Sequence, residues 1–475
     1  VPAVGIRPRR PASADIRDTG KTMTSDPTHA ARPPADRASA LEAWGLPAPE
    51  SIERRSPFAD NPAVGQRGQR TQQRILAAAL RVFDEGGYPT SSIADLAKQA
   101  GCSRVTFYQY FSSKEDVLRH LAGQVVRQVS ASLEAMRPVT PDAAGRETLR
   151  AWVTRYADIY EHFGAVFHVY ERAAGEAASL RELNVRAGRL NVALIRSKLA
   201  PAPSAPRDVD AVIGLLLATT ARAFYSGRIL RAAAPEAYPR ERVDDAIADL
   251  MHRAFFGLVP GVNVHPLKAP AAPVIEFDRQ TGEPADGRAP LTDVARASYD
   301  ALLTAGQEVF VERGYHGTRV DDVVTAAGVS HGLFYRYFAN KADFARTLVL
   351  TAMTPLSRTL AAIPTPEPAS GGAWSTATLR AWLRTYHEAQ VSEAAIIRIW
   401  VDATLHEPAL GTDAAAALDW GRRHLVHFLA PRGFGDVDTD AIVALALLDV
   451  FGGGRGAAQT LEAAVHVIER GLLGR

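Results

Sequence analysis

Two stretches of this chain decide its fold: GYPTSSIADLAKQAGCSRVTFYQYFSSKEDVL, Gly87 to Leu118, and GYHGTRVDDVVTAAGVSHGLFYRYFANKADF, Gly314 to Phe344. Laid over each other at a shift of 227 positions they match without a gap at Asp95 and Asp322, Ala100-Gly101 and Ala327-Gly328, Ser103 and Ser330, Phe107-Tyr108 and Phe334-Tyr335, Tyr110-Phe111 and Tyr337-Phe338, Lys114 and Lys341. The match extends backward to Val82-Phe83 and Val309-Phe310. A weaker echo runs forward at a shift of 230, pairing Trp152 and Tyr156 with Trp382 and Tyr386, Ala200-Pro201 with Ala430-Pro431, and Asp210-Ala211 with Asp440-Ala441. The chain is therefore read as an internal duplication of whole folding units rather than of one motif.

In the first copy, Ile75, Leu76, Ala79, Val82 and Phe83 fall at helical spacing, which predicts a helix over Gln72 to Glu85 stopped at Gly86-Gly87. Ser92 three residues before Asp95 has capping-box spacing, and Ile93, Leu96 and Ala97 give the buried stripe of a short second helix ending at Gly101. Ser103 then caps a third helix. Its Phe107 and Phe111 face inward, and Arg104, Val105, Tyr108 and Gln109 face outward. A guanidinium, an amide and a phenol on one short exposed face suit phosphate and base-edge contacts in a major groove. A fourth helix is predicted from Ser112, with Ser112 and Glu115 as its capping box and Lys114 beside free backbone N–H groups where a phosphate could dock.

Two short helices around a Gly-containing turn form a helix-turn-helix reader. The two stretches resemble the DNA-binding domain of the tetracycline-repressor (TetR-like, TetR/AcrR) family of bacterial transcriptional regulators, through Gly-Tyr, Ala-Gly-x-Ser, aromatic-Tyr-x-Tyr-Phe and Lys-x-Asp. The resemblance implies an all-α fold: two fused TetR-like units, each a three-helix head on a helical body that dimerises and binds a small ligand. Carried over by position, the implied DNA contacts of the first head are Ser91, Ser92, Ser103, Arg104, Thr106, Tyr108, Gln109 and Lys114. Those of the second are Thr318, Arg319, Ser330, His331, Tyr335, Arg336 and Lys341. The second head departs from the family pattern at Leu333, where a hydroxyl is usual, and at Asp321-Asp322, whose carboxylates repel DNA. The first head departs only at Val105.

The 475 residues hold more than one core of ordinary size, and 47% hydrophobic with 22% charged residues excludes wholesale disorder. The expected divisions are an arm over 1–66, a head over 67–119, a body over 120–259, a Pro-rich linker over 260–290, a second head over 291–345 and a second body over 346–475. A net charge of +2 means that any nucleic-acid contact must come from a local patch. One cysteine, Cys102, forbids an intrachain disulfide or a Cys-cluster metal site, and its match to Val329 reads as a small apolar residue in the turn. No apolar run long enough for a bilayer or a secretory signal is expected. No Ser/His/Asp order, metal-ligand spacing or Walker lysine stands out, so no catalytic residue, metal or cofactor is expected.

The aromatic series Trp152, Tyr156, Tyr160, Phe163, Phe167, mirrored by Trp382, Tyr386 and Trp400, has two readings: packed core, which is favoured, or the wall of an apolar ligand pocket. The combined expectation is a cytoplasmic, nucleoid-associated, sequence-specific DNA-binding transcriptional regulator, a repressor released by a small apolar or amphipathic ligand. It binds double-stranded operator DNA, as an intramolecular pseudo-dimer or a homodimer, and no membrane. The alternative is a module for a small molecule or a protein partner, with its second or both heads degenerate.

Overall fold

The computed structural model describes residues 66–88, 90–167, 178–201, 208–262, 274–275, 293–364, 375–404, 408–453 and 457–475. The expected arm and most of the expected linker lie outside them. Among the described residues the structure is helical, with a single isolated bridge, Val139 to Leu199, in place of any sheet.

The first head is α1 (Gln66–Gly86), α2 (Ile93–Gln99) and α3 (Arg104–Tyr110), leading into α4 (Lys114–Glu134). Helix α1 starts six residues before the predicted Gln72, because the polar N-terminal turns need only backbone bonding and carry no apolar signal. Ile75, Leu76, Ala79 and Phe83 are buried as the period requires, while Val82 is only half-buried. The capping box at Ser92 forms: its side chain accepts from the Asp95 N–H, and Asp95 accepts from the Ser92 N–H at 2.9 Å. Gly101 turns the chain with φ +62°, a left-handed conformation that disfavours a side chain even though open space surrounds it. The fourth helix corrects the predicted box. Its cap is Ser113, accepting from Asp116, and the Asp116 carboxylate receives the Ser112 N–H at 2.8 Å. Hydrogen bonds from His120, the Ser112 N–H and Arg119 hold the Asp116 carboxyl far below its usual range despite partial burial.

The second head repeats the plan in α9 (Asp293–Gly317), α10 (Val320–Ala327), α11 (His331–Tyr337) and α12 (Lys341–Ala361). Between the heads lie the helices of the first body, α5 (Ala143–His162), α6 (Ala178–Lys198), α7 (Val209–Ala233) and α8 (Arg240–Phe256). One repeat difference is explained by packing. Ala79 and Val117 of the first head become Gly306 and Phe344, and a Cβ at Gly306 would collide with the Phe344 ring. The larger ring is accommodated by the smaller partner.

The second body is α13 (Thr376–Thr404), α14 (Pro408–Leu429), α15 (Val437–Gly453) and α16 (Ala457–His466), closed by a π turn over Val467–Leu472. Helices α4 and α12 run from each head into its body, and α12 carries Pro355 in its interior. The two bodies meet through α7 against α15 and α16, and α8 against α15 and the π turn. One hydrophobic core runs from Ile75 to Leu473 across that junction.

Helix α7 modifies the membrane expectation: it is long and apolar enough to cross a bilayer. Its Val212, Ile213, Leu216 and Phe224 are instead buried inside the protein, as a core helix requires.

Charged groups also cross the junction. Arg253 donates from Nε to the Gly471 carbonyl at 2.7 Å and lies 3.4 Å from Asp440; Arg432 pairs with the same carboxylate. Arg242 reaches Asp436 at 2.7 Å, and Arg222 pairs with Asp449.

Candidate nucleic-acid interface

The reading face is built by local chemistry. Ser103 accepts the Thr106 N–H at 3.0 Å, which starts α3, and its hydroxyl also meets the Thr106 hydroxyl at 2.9 Å. Phe107 and Phe111 anchor the helix, at 0% and 1% exposure. That leaves Arg104, Val105, Tyr108 and Gln109 exposed on the outer face, with Val105 at 73% and Tyr108 at 50%. Arg104 and Gln109 form no hydrogen bond or ion pair among the described residues. An exposed apolar side chain, a guanidinium and an amide match the inventory that reads thymine methyls and base edges.

Lys114 is held by partners inside the head. Its Nζ donates to the carbonyls of Tyr88 at 2.6 Å and Ser91 at 2.9 Å, and lies 4.4 Å from the centre of the Tyr88 ring. Burial pulls the Lys114 ammonium below its ordinary value. Lys341 repeats the staple on Tyr315 at 2.9 Å and Thr318 at 3.1 Å, over the Tyr315 ring at 4.3 Å. Each lysine ties the start of its body helix to the turn after the first helix, and so sets the pose of the reading helix between them. Ser91 and Ser92 are likewise engaged, Ser91 with the Tyr88 carbonyl at 2.9 Å and Ser92 with Asp95 at 2.6 Å.

The second head presents a poorer face. Thr318 is only 1% exposed and donates to the Gly314 carbonyl at 2.8 Å, so the expected DNA contact there is corrected to a buried cap. Gly314 turns the chain there with φ 69°, as Gly87 does in the first head with φ 79°. His331, at the place of Arg104, pairs with Asp321, and Arg313 pairs with Asp322 at 2.6 Å. Arg319 takes the cap position, with its N–H on Asp322 at 2.9 Å. Ser330, Tyr335 and Arg336 remain on the exposed side, and Leu333 is half-buried. Gly332 stands where the first head has Val105, so no side chain projects there.

The aromatic residues of the first body follow the core reading. Trp152, Tyr156, Tyr160 and Phe163 are buried, and Tyr160 meets Phe167 at 4.9 Å and Phe224 at 5.6 Å. In the second body, Trp382 donates its indole N–H to the Thr359 carbonyl at 2.8 Å and is also packed. Tyr386 and Trp400 alone among the eight expected pocket residues line a cavity of about 110 Å³. That cavity also takes Arg222, Tyr225 and Ile229 from α7, contributors invisible to a search within one repeat. Cys102 packs partly buried against the head core, and burial raises its thiol, in line with an apolar role.

The family described as "Bacterial regulatory proteins, tetR family" matches residues 75–121 and again 302–348, the two heads. Similar proteins include the HTH-type transcriptional regulator EthR of Mycobacterium tuberculosis (strain ATCC 25618 / H37Rv), 36% identical over 118 residues, 25% of this chain and 52% of EthR. The HTH-type transcriptional activator FasR of Mycolicibacterium smegmatis is 37% identical over 101 residues, 21% of this chain and 45% of FasR. The fatty acid metabolism regulator protein of Bacillus subtilis is 30% identical over 112 residues, 24% of this chain and 54% of that protein. The chain spans about half the length of the curated relatives it matches.

Proposed function

From the premise that this chain carries two tetR-family heads, we propose that it is a sequence-specific DNA-binding transcriptional regulator, a cytoplasmic repressor that a small ligand releases from its operator. The observation that carries the DNA-reading part is the outer face of α3, with Arg104, Val105, Tyr108 and Gln109 exposed over a buried Phe107. The first head is the principal reader, because in the second the acids Asp321 and Asp322 engage His331 and Arg313. Since the two bodies already pack on each other within one chain, the two reading helices form an unlike pair, and the preferred operator is asymmetric. Selection of bound duplexes from random DNA, followed by footprinting and a solution mass, tests this. A palindromic site covered by two chains would overturn the asymmetric pairing.

Arg104 and Lys114 separate reading from scaffolding. Arg104→Ala removes a base or phosphate partner and is expected to weaken the selected duplex about 10- to 100-fold, with a smaller loss on unrelated DNA. Lys114→Met breaks the staple instead. It should lower the stability of the head by about 1–3 kcal/mol and weaken every duplex without the one-unit change in salt slope that a lost phosphate contact brings. Titrations at several salt concentrations check both; an unchanged head with a slope reduced by about one would return Lys114 to the phosphate.

The structure supports a second reading of the second head. Its internal ion pairs and buried Thr318 favour a scaffold that positions the first head over one that reads bases itself.

A further inference from the structure

The duplication is unequal in its bodies. At the 230-residue shift, Tyr160 of the first body corresponds to Gln390 and Phe167 to Ile397. In the first body those two rings pack against each other, and Tyr160 also packs against Phe224. In the second body their replacements line the cavity of about 110 Å³. Two aromatic rings of the first body are thus matched by an amide and an aliphatic chain in the wall of the cavity.

The cavity is closed by the first half. Its polar floor is Asp449, which takes Arg222 from α7 on one oxygen and the Gln390 amide on the other at 2.8 Å; the Tyr225 hydroxyl meets Thr404 at 3.1 Å at the same junction. The remaining wall, including Leu356 and Trp400, is apolar. One carboxylate faces one guanidinium, so the floor has no net charge and a charged guest would bring an uncompensated charge into a desolvated place. Burial and the nearby Asp449 push the Tyr386 phenol well above its ordinary value, which marks the wall as dry.

We propose that the cavity between α7 and the second body is the single ligand site among the described residues, and that it takes one uncharged, single-ring molecule with one hydrogen-bonding group. The size argument is direct: an apolar cavity of about 150 Å³ holds benzene, so one ring is the upper limit here without displacement of the wall. The site deepens the ligand-release reading and rests on it only for its regulatory meaning. Reading and sensing are then divided, with the better reader in the first half and the sensor in the second, and a guest touches both halves at once.

The test uses the full chain and 4-fluorophenol, observed by fluorine NMR and titrated by calorimetry without DNA. One molecule should bind per chain. Ile397→Phe, and Ile397→Phe with Gln390→Tyr, restore the rings of the first body and should weaken binding by about tenfold or more, with far-UV dichroism confirming an intact fold. Charged 4-fluorobenzoate should bind about tenfold more weakly than the phenol. Two equivalents per chain, binding unaffected by Ile397→Phe in folded protein, or equal binding of the benzoate would overturn the proposal. Because no duplex enters the measurement, loss of DNA selection leaves this result standing, and loss of phenol binding leaves the DNA reading standing.

Discussion

Phe107→Ala is expected to disable the first head and remove sequence-specific DNA binding almost entirely. The ring is fully buried and meets Phe111 at 5.9 Å, so truncation loses its transfer energy and leaves a void beneath the reading helix, a cost of about 3–5 kcal/mol. A seven-residue helix has no stability of its own to absorb that loss, since isolated helices below about 12 residues are marginal in water. Hydrogen exchange should show α2 and α3 opening while α7 and α15 stay protected, and affinity for the selected duplex should fall by more than about 100-fold. Phe334→Ala does matching damage to the second head, where Phe334 meets Phe338 at 5.3 Å. Its effect on DNA should be much smaller. Equal losses of affinity from the two variants would remove the ranking of the heads.

The second large effect belongs to the junction. Asp440→Ala leaves Arg253 and Arg432 without their carboxylate, and their side chains are 3% and 1% exposed. Removing one member of such a buried set costs about 3–5 kcal/mol, because the remaining guanidinium charges cannot be rehydrated in place. Burial already pulls the Arg432 guanidinium down, against the opposing pull of Asp440. The contrast is Arg380→Ala, which breaks the exposed pair with Glu462 at 2.6 Å and should cost far less, because water screens both charges. Urea unfolding of both variants gives the comparison. A loss at Asp440 no larger than that at Arg380 would show that the Asp440 cluster contributes little to the junction.

Much of each head was legible because its signals are local. The stripe Leu96 and Ala97, the Ser92 and Asp95 box, the turn at Gly101 and the inward Phe107 and Phe111 lie within a few positions of one another, and each appears as expected. The Ser112 cap missed by one residue, since adjacent serines offer the same hydroxyl and only the helix phase chooses Ser113. The internal partners of Lys114 were hidden for a different reason. Its chemistry fits a phosphate and a carbonyl equally, and its partners lie 23 and 26 residues away.

The sequence by itself determined a duplicated helical protein with two helix-turn-helix heads, and it separated the core face of each reading helix from the outer face. Those properties follow from helical period and capping, which are written over a few residues. Tertiary structure alone decided that Thr318 is buried, that Trp152, Tyr156, Tyr160 and Phe163 are core residues, and that the cavity is shared between α7 and the second body. It also decided which charges join the halves, such as Arg222 with Asp449 across 227 residues. These depend on which distant surfaces meet and how fully side-chain volumes fill the space between them, and no short-range pattern encodes that.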